Sequence, residues 1–122
     1  MSLREELALL NDRFGQAFAD QDLDRVAAFY ANDARLLLPG MPLVRGRSAI
    51  AALFRDDLEA RPVSIQFESG DILEGGRLVV DVGRYVTPKG TGNYVVVYER
   101  QPDGTLKLAV DAASSDGPAS GG

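Results

Sequence analysis

Arg61-Pro62-Val63-Ser64-Ile65-Gln66-Phe67-Glu68 marks the point at which the hydrophobic period of this 122-residue chain changes. From Val63 onward, Val63, Ile65 and Phe67 alternate with Ser64, Gln66 and Glu68, the period of a strand with one buried face. Pro62 disfavours helical backbone at Arg61 and so closes the helix before it. Downstream, the segments 78–87, 94–100 and 105–114 supply three more strands. Glu74-Gly75-Gly76, the segment 87–93 and Gln101-Pro102-Asp103-Gly104 separate them, each rich in residues that preset a bend or tolerate positive φ. The last two read as hairpin connections.

Upstream of the switch the period is helical. Leu3, Leu7, Leu10, Phe14 and Phe18 form one apolar stripe over residues 2–19, and Ser2 followed by Glu5 is a capping-box pattern. Asp22 caps a short second helix whose Leu23, Val26, Ala27 and Tyr30 share a face. Ala34-Arg35-Leu36-Leu37-Leu38 reads as a buried strand ended by Pro39-Gly40 and Pro42. A third helix follows Gly46, with Ile50, Leu53, Phe54 and Leu58 on its apolar face. Helices first and a meander afterwards predict an α+β fold, an antiparallel sheet curling over helices. Residues 1–114 make one domain, and 115–122 read as a flexible Gly- and Ser-rich tail.

The chain length leaves room for one domain, and 45% apolar with 25% charged residues is an ordinary globular composition. The absences are more restrictive. With no Cys and no His, thiolate nucleophiles, imidazole bases, serine triads and the usual zinc sites are all excluded. A net charge of −5 with scattered Arg and no Trp argues against nucleic acid. The acidic start lacks the pattern of a signal peptide and no stretch suits a membrane span, so a cytoplasmic location is expected. Asp20, Asp22 and Asp24 lack the Gly and closing Glu of a calcium loop, so no metal is expected. No glycine pattern makes a phosphate or dinucleotide loop.

Asp22-Leu-Asp-Arg-Val-Ala-Ala-Phe-Tyr-Ala-Asn-Asp-Ala34, the 39–46 loop leading into Ser48-Ala49-Ile50, and Asp103-Gly104 followed by Leu108 and Asp111 carry a resemblance. On these residues the chain resembles the SnoaL-like branch of the NTF2-like superfamily, and within it the DUF4440-type proteins, from the first helix to Ser115. The resemblance implies a cone: three N-terminal helices packed against a strongly curved, mostly antiparallel sheet, with a pocket at the open end. It also implies a homodimer through the sheet, a small apolar ligand and chemistry without a cofactor. Ketosteroid isomerase relatives place a Tyr donor on the first helix and a carboxylate before the loop to the third helix. The matching positions here are Phe14 and Leu38, which lack those groups and are left as apolar ligand contacts. The Arg-x-Asp strand pair of limonene epoxide hydrolase relatives is absent from the predicted strands. SnoaL-type cyclases use an Asp near the end of the sheet, and Asp111 falls near that place.

Asp111 also stands out by itself, because it interrupts the apolar run Leu108-Ala109-Val110 and Ala112-Ala113. A carboxylate there must be hydrogen-bonded, raised in pKa, or both. A regular strand turns it away from the face of Leu106 and Leu108; a bulge reverses this. Tyr98 is its candidate catalytic companion, with Tyr85, Tyr94 and Arg84 as ligand contacts; sheet packing and a salt link to Glu68 or Glu99 are the alternatives. Tyr30, at helical spacing with Val26, reads as a core residue with a satisfied hydroxyl. Two functions fit these residues. One is a cofactor-independent isomerase, cyclase or hydratase acting on an apolar carbonyl compound through a carboxylate; the other is a noncatalytic binding or dimerisation module.

Overall fold

The capping box forms as the sequence requires: Ser2 accepts from the Glu5 amide and the Glu5 carboxylate accepts from the Ser2 amide, opening α1 (Leu3–Ala19). This is seen in a computed structural model that describes residues 1–117. Asp22 accepts from the Arg25 amide and starts α2 (Leu23–Ala28). The chain then enters β1 (Tyr30–Leu37) and, after the 38–43 loop, the two-residue β2 (Val44–Arg45). Gly46, at φ 96°, turns the backbone into α3 (Arg47–Asp56), followed by a 3-10 turn at Leu58–Ala60. β3 (Gln66–Gly75), β4 (Leu78–Thr87), β5 (Gly90–Arg100) and β6 (Leu106–Ser115) complete one sheet in the order β2-β1-β6-β5-β4-β3. Every neighbouring pair is antiparallel except β1 with β6.

The unclosed sheet curves over the helices, and the core lies between them. Leu7, Phe14, Ala17 and Phe18 of α1, Val26 of α2 and Ile50 and Phe54 of α3 meet Tyr30, Leu36, Val79, Tyr94 and Leu108 of the sheet. Two glycines let the sheet bend. The ring of Tyr94 lies over Gly83 and that of Tyr85 over Gly92, so that a Cβ at either glycine would collide with the phenol and with a strand carbonyl. The bend predicted at Gly83 is thus roofed by an aromatic ring.

Several boundaries differ from expectation. Tyr30 is not on the second helix: α2 stops at Ala28 and Tyr30 opens β1, which runs through Ala31-Asn32-Asp33. Asn32 and Asp33 are exposed there while Ala31 and Ala34 are buried, at an irregular register with β6. The third helix ends at Asp56 rather than at Arg61. Val63 and Ile65 precede β3, and their alternation belongs to the strand's approach. β5 begins at Gly90, leaving only Pro88 and Lys89 as its turn after Thr87. The expected tail also starts too early. Ser115 still belongs to β6, and Asp116 is held by the Thr91 carbonyl and hydroxyl and the Asn93 amide. Residues 118–122 lie outside the described residues. Among the described residues, no helix is long and apolar enough to cross a membrane.

Candidate functional site: a cavity floored by Asp111 and Tyr30

The β5–β6 register decides where Asp111 points. Tyr98 pairs with Leu108 but Val97 pairs with Val110, so Ala109 is an extra residue, a bulge in β6. Leu106 and Leu108 face the core before it; after it the inward positions are Asp111 and Ala113, both on the cavity wall. The bulge thus reverses the parity that would have sent Asp111 outward.

The cavity measures about 480 Å³, within the range that takes a small molecule. Its buried end is built from Phe14 and Phe18 of α1, Phe54 of α3, Tyr30 of β1 and Tyr94 of β5. Its rim includes the exposed Pro39, Leu58, Val63, Pro88 and Lys89. Phe14 is the hub of the aromatic wall, with ring centroids 5.1 Å from Phe18, 5.1 Å from Phe29, 5.4 Å from Phe67 and 5.8 Å from Tyr30.

Within this apolar enclosure the Tyr30 hydroxyl donates to Asp111 Oδ2 at 2.7 Å. Burial pushes the Asp111 carboxyl up to about 6, and the Tyr30 hydrogen bond offsets only part of that rise. Tyr30, 1% exposed, is itself raised well above the usual phenol range by burial and by the facing carboxylate. Its backbone is fixed too: the Arg47 guanidinium donates twice to the Tyr30 carbonyl, at 2.9 and 2.7 Å. Arg47 thereby ties the start of α3 to the residue that holds Asp111.

A second carboxylate lies deeper. Asp81 of β4 is 0% exposed and accepts three hydrogen bonds, from Ser69 Oγ at 2.7 Å, Tyr94 Oη at 2.8 Å and the Gly70 amide at 3.2 Å. Asn11 of α1 donates to Ser69 Oγ at 3.0 Å, so a polar chain runs from α1 through β3 and β4 to the Tyr94 phenol on the cavity wall. Asp81 was not singled out in the sequence. It sits at an inward position between Val79 and Gly83, but Val80 and Val82 make the other face equally apolar, so alternation gives no phase there.

Of the residues singled out, Asp111, Tyr85, Tyr94, Phe14 and Leu38 share the cavity. Tyr30 is the partner of Asp111, and its hydroxyl is satisfied by the residue whose chemistry is in question. Two placements need correction. Arg84 is not on the cavity, because it follows Val80 and Val82 on the outer face of β4; there it pairs in register with Glu68, not Glu99, and its ion pair is with Asp116 at 3.9 Å. Tyr98 faces inward like Tyr94 but is buried in the core and off the cavity wall, where burial and the neighbouring Tyr94, Asp81 and Asp111 raise its phenol well above the usual range. Tyr85 donates its hydroxyl to the Ser114 carbonyl at 3.0 Å. Among the described residues no group of acidic side chains is arranged to hold a metal ion.

The sequence matches a known family: the SnoaL-like domain model aligns with residues 12–107. The chain belongs to the SnoaL-like family. None of the curated proteins matches its sequence. Among solved structures this SnoaL-like domain is similar to a putative calcium/calmodulin-dependent protein kinase II association domain from Xanthomonas campestris, with 24% identity and a TM-score of 0.77 over 98% of this chain and 91% of the other. It is also similar to an NTF2-like protein with a cystatin-like fold from Novosphingobium aromaticivorans, with 16% identity and a TM-score of 0.75 over 97% and 84%. A ketosteroid isomerase-like protein from Erwinia carotovora atroseptica aligns at 17% identity with a TM-score of 0.70 over 88% and 91%. At these identities the likeness concerns the fold alone.

Proposed function

We propose that this SnoaL-like domain is a small-molecule pocket protein that anchors the polar end of an apolar ligand on the Asp111–Tyr30 pair. The observation that carries this reading is a carboxyl held by a 2.7 Å hydrogen bond at the floor of an aromatic cavity of about 480 Å³. Phe14 and Leu38 on the wall favour apolar contact over the isomerase machinery whose matching groups they replace. Heteronuclear NMR with a small aromatic probe such as indole tests it. Tyr30, Phe67, Asp111 and Ala113 are expected to shift on titration, and Ala113→Trp, which fills the cavity from β6, is expected to abolish the shifts while leaving the spectrum folded. Shifts confined to the outer face, or none, would count against a ligand pocket.

A second reading, catalysis, rests on a separate observation. A carboxyl at about 6 is poised near the pH at which a general acid or base works best. On this reading the domain is a cofactor-independent isomerase, cyclase or hydratase, with Asp111 carrying the proton and Tyr30 holding the carboxyl in place.

The outer face of the sheet supports a homodimer. Val80, Val97 and Val110 lie in one cross-strand row, and Val82, Val95 and Ala112 in the next. Val82 is 39% and Val95 41% exposed, an apolar strip suited to a second copy. Light scattering at micromolar concentration is expected to give twice the chain mass, and Val95→Glu to halve it. One chain's mass for the unaltered protein would exclude the dimer.

A further inference from the structure

The directions of the hydrogen bonds at the cavity wall determine which ligand chemistry the floor can accept. Asn11 donates to Ser69 Oγ, so the single Ser69 hydroxyl proton goes to Asp81. The Gly70 amide can only donate, and the remaining bond to Asp81 therefore takes the Tyr94 proton. Tyr30 gives its proton to Asp111, Tyr85 to the Ser114 carbonyl and Thr87 to the Gly90 carbonyl. All three cavity phenols have thus committed their only proton to protein acceptors. What they turn toward a ligand is lone pairs.

We propose that the cavity takes a small apolar molecule whose buried end donates hydrogen bonds, best of all a primary ammonium, received by the Asp111 carboxylate and the adjoining phenol oxygen of Tyr30. This rests on the pocket reading above and names the class of ligand that the pocket serves. A carbonyl oxygen at the same place would meet only acceptors once Asp111 is ionised. An ammonium brings up to three donors and a charge that Asp111 neutralises, and the rings of Phe14, Phe54 and Phe67 around it are surfaces that favour a cation. The cationic side chains on the cavity, Arg61 and Lys89, come from the segment before β3 and the β4–β5 turn, while Asp111 lies among the buried rings.

An isosteric series tests the assignment: α-methylbenzylamine, α-methylbenzyl alcohol and acetophenone, titrated in mildly alkaline buffer and followed by NMR. The amine is expected to bind roughly ten to a hundred times more tightly than the ketone, with the alcohol between them, the range for hydrogen bonds to a charged group. Asp111→Asn, which presents an amide of the same shape, is expected to remove most of the amine's advantage. Ketone binding equal to or tighter than amine binding would overturn the acceptor assignment while leaving the pocket intact. If none of the three probes binds, the pocket reading falls and this inference with it.

Discussion

Asp81→Ala is expected to lower the unfolding free energy by about 3–5 kcal/mol, a large share of a small domain's stability. The carboxylate is 0% exposed and joins β4, β5 and β3 through Tyr94, Ser69 and Gly70, with Asn11 linking the chain to α1. Truncation leaves a void and orphans three donors together. Tyr94 and Asn11 are buried, so water cannot replace all these bonds without opening the α1–β3 contact. Tyr94→Phe removes only one donor and leaves Asp81 two, so its cost is expected near 1 kcal/mol. Because both changes act on one network, the double variant should lose less than the sum of the two. Urea unfolding of the four proteins measures this cycle. A loss below about 1 kcal/mol for Asp81→Ala would mean that the network is loosely solvated.

The same residue shows where sequence reading stops. The helices were legible because a capping box, an Asp cap and an apolar stripe all agree at α1 and α2. β4 was legible to both ends because Gly75-Gly76 precedes it and Pro88 follows. The order of its faces was not, since Val79 to Val82 is apolar on both sides and an Asp within it has no assigned direction. The start of β5 was lost for a related reason. Gly90 and Gly92 look like turn residues, yet Gly92 is in the strand because the Tyr85 ring occupies the space a side chain would need. Nor does the sequence announce the Ala109 bulge. Asp111 drew attention as a carboxylate in an apolar run, but only the register of β6 against β5 turns it to the cavity. The chemistry of the site was visible as composition, whereas its partner Tyr30 was hidden by a helical spacing that ended two residues earlier.

Asp111→Asn is expected to separate stability from function. In the folded protein burial raises the carboxyl from 3.8 to about 6, so between those values the folded state holds a proton that the unfolded chain has released. Stability from this group is therefore full below about pH 4 and is lost as pH rises through 6, amounting to about 3 kcal/mol at alkaline pH. Glu5, Asp20 and Asp103, lowered by their hydrogen bonds, act with the opposite sign, losing stability as pH falls, so the wild type minus variant difference isolates Asp111. Asn keeps an oxygen to accept from Tyr30 and never ionises. The variant is expected to match wild type near pH 4 and to exceed it by up to about 3 kcal/mol at pH 8. If Asp111 carries the proton in a reaction, turnover should fall at least ~100-fold in the same variant. Parallel stability curves from pH 4 to 8 would show that the carboxyl is not desolvated and would remove the basis of the catalytic reading. A variant more stable than its parent yet poorer at its task is the signature of a site. On the proposed reading, the fold carries an ionised Asp111 at a cost in stability that packing does not require, and the ligand or proton that meets it in the cavity is what that charge would serve.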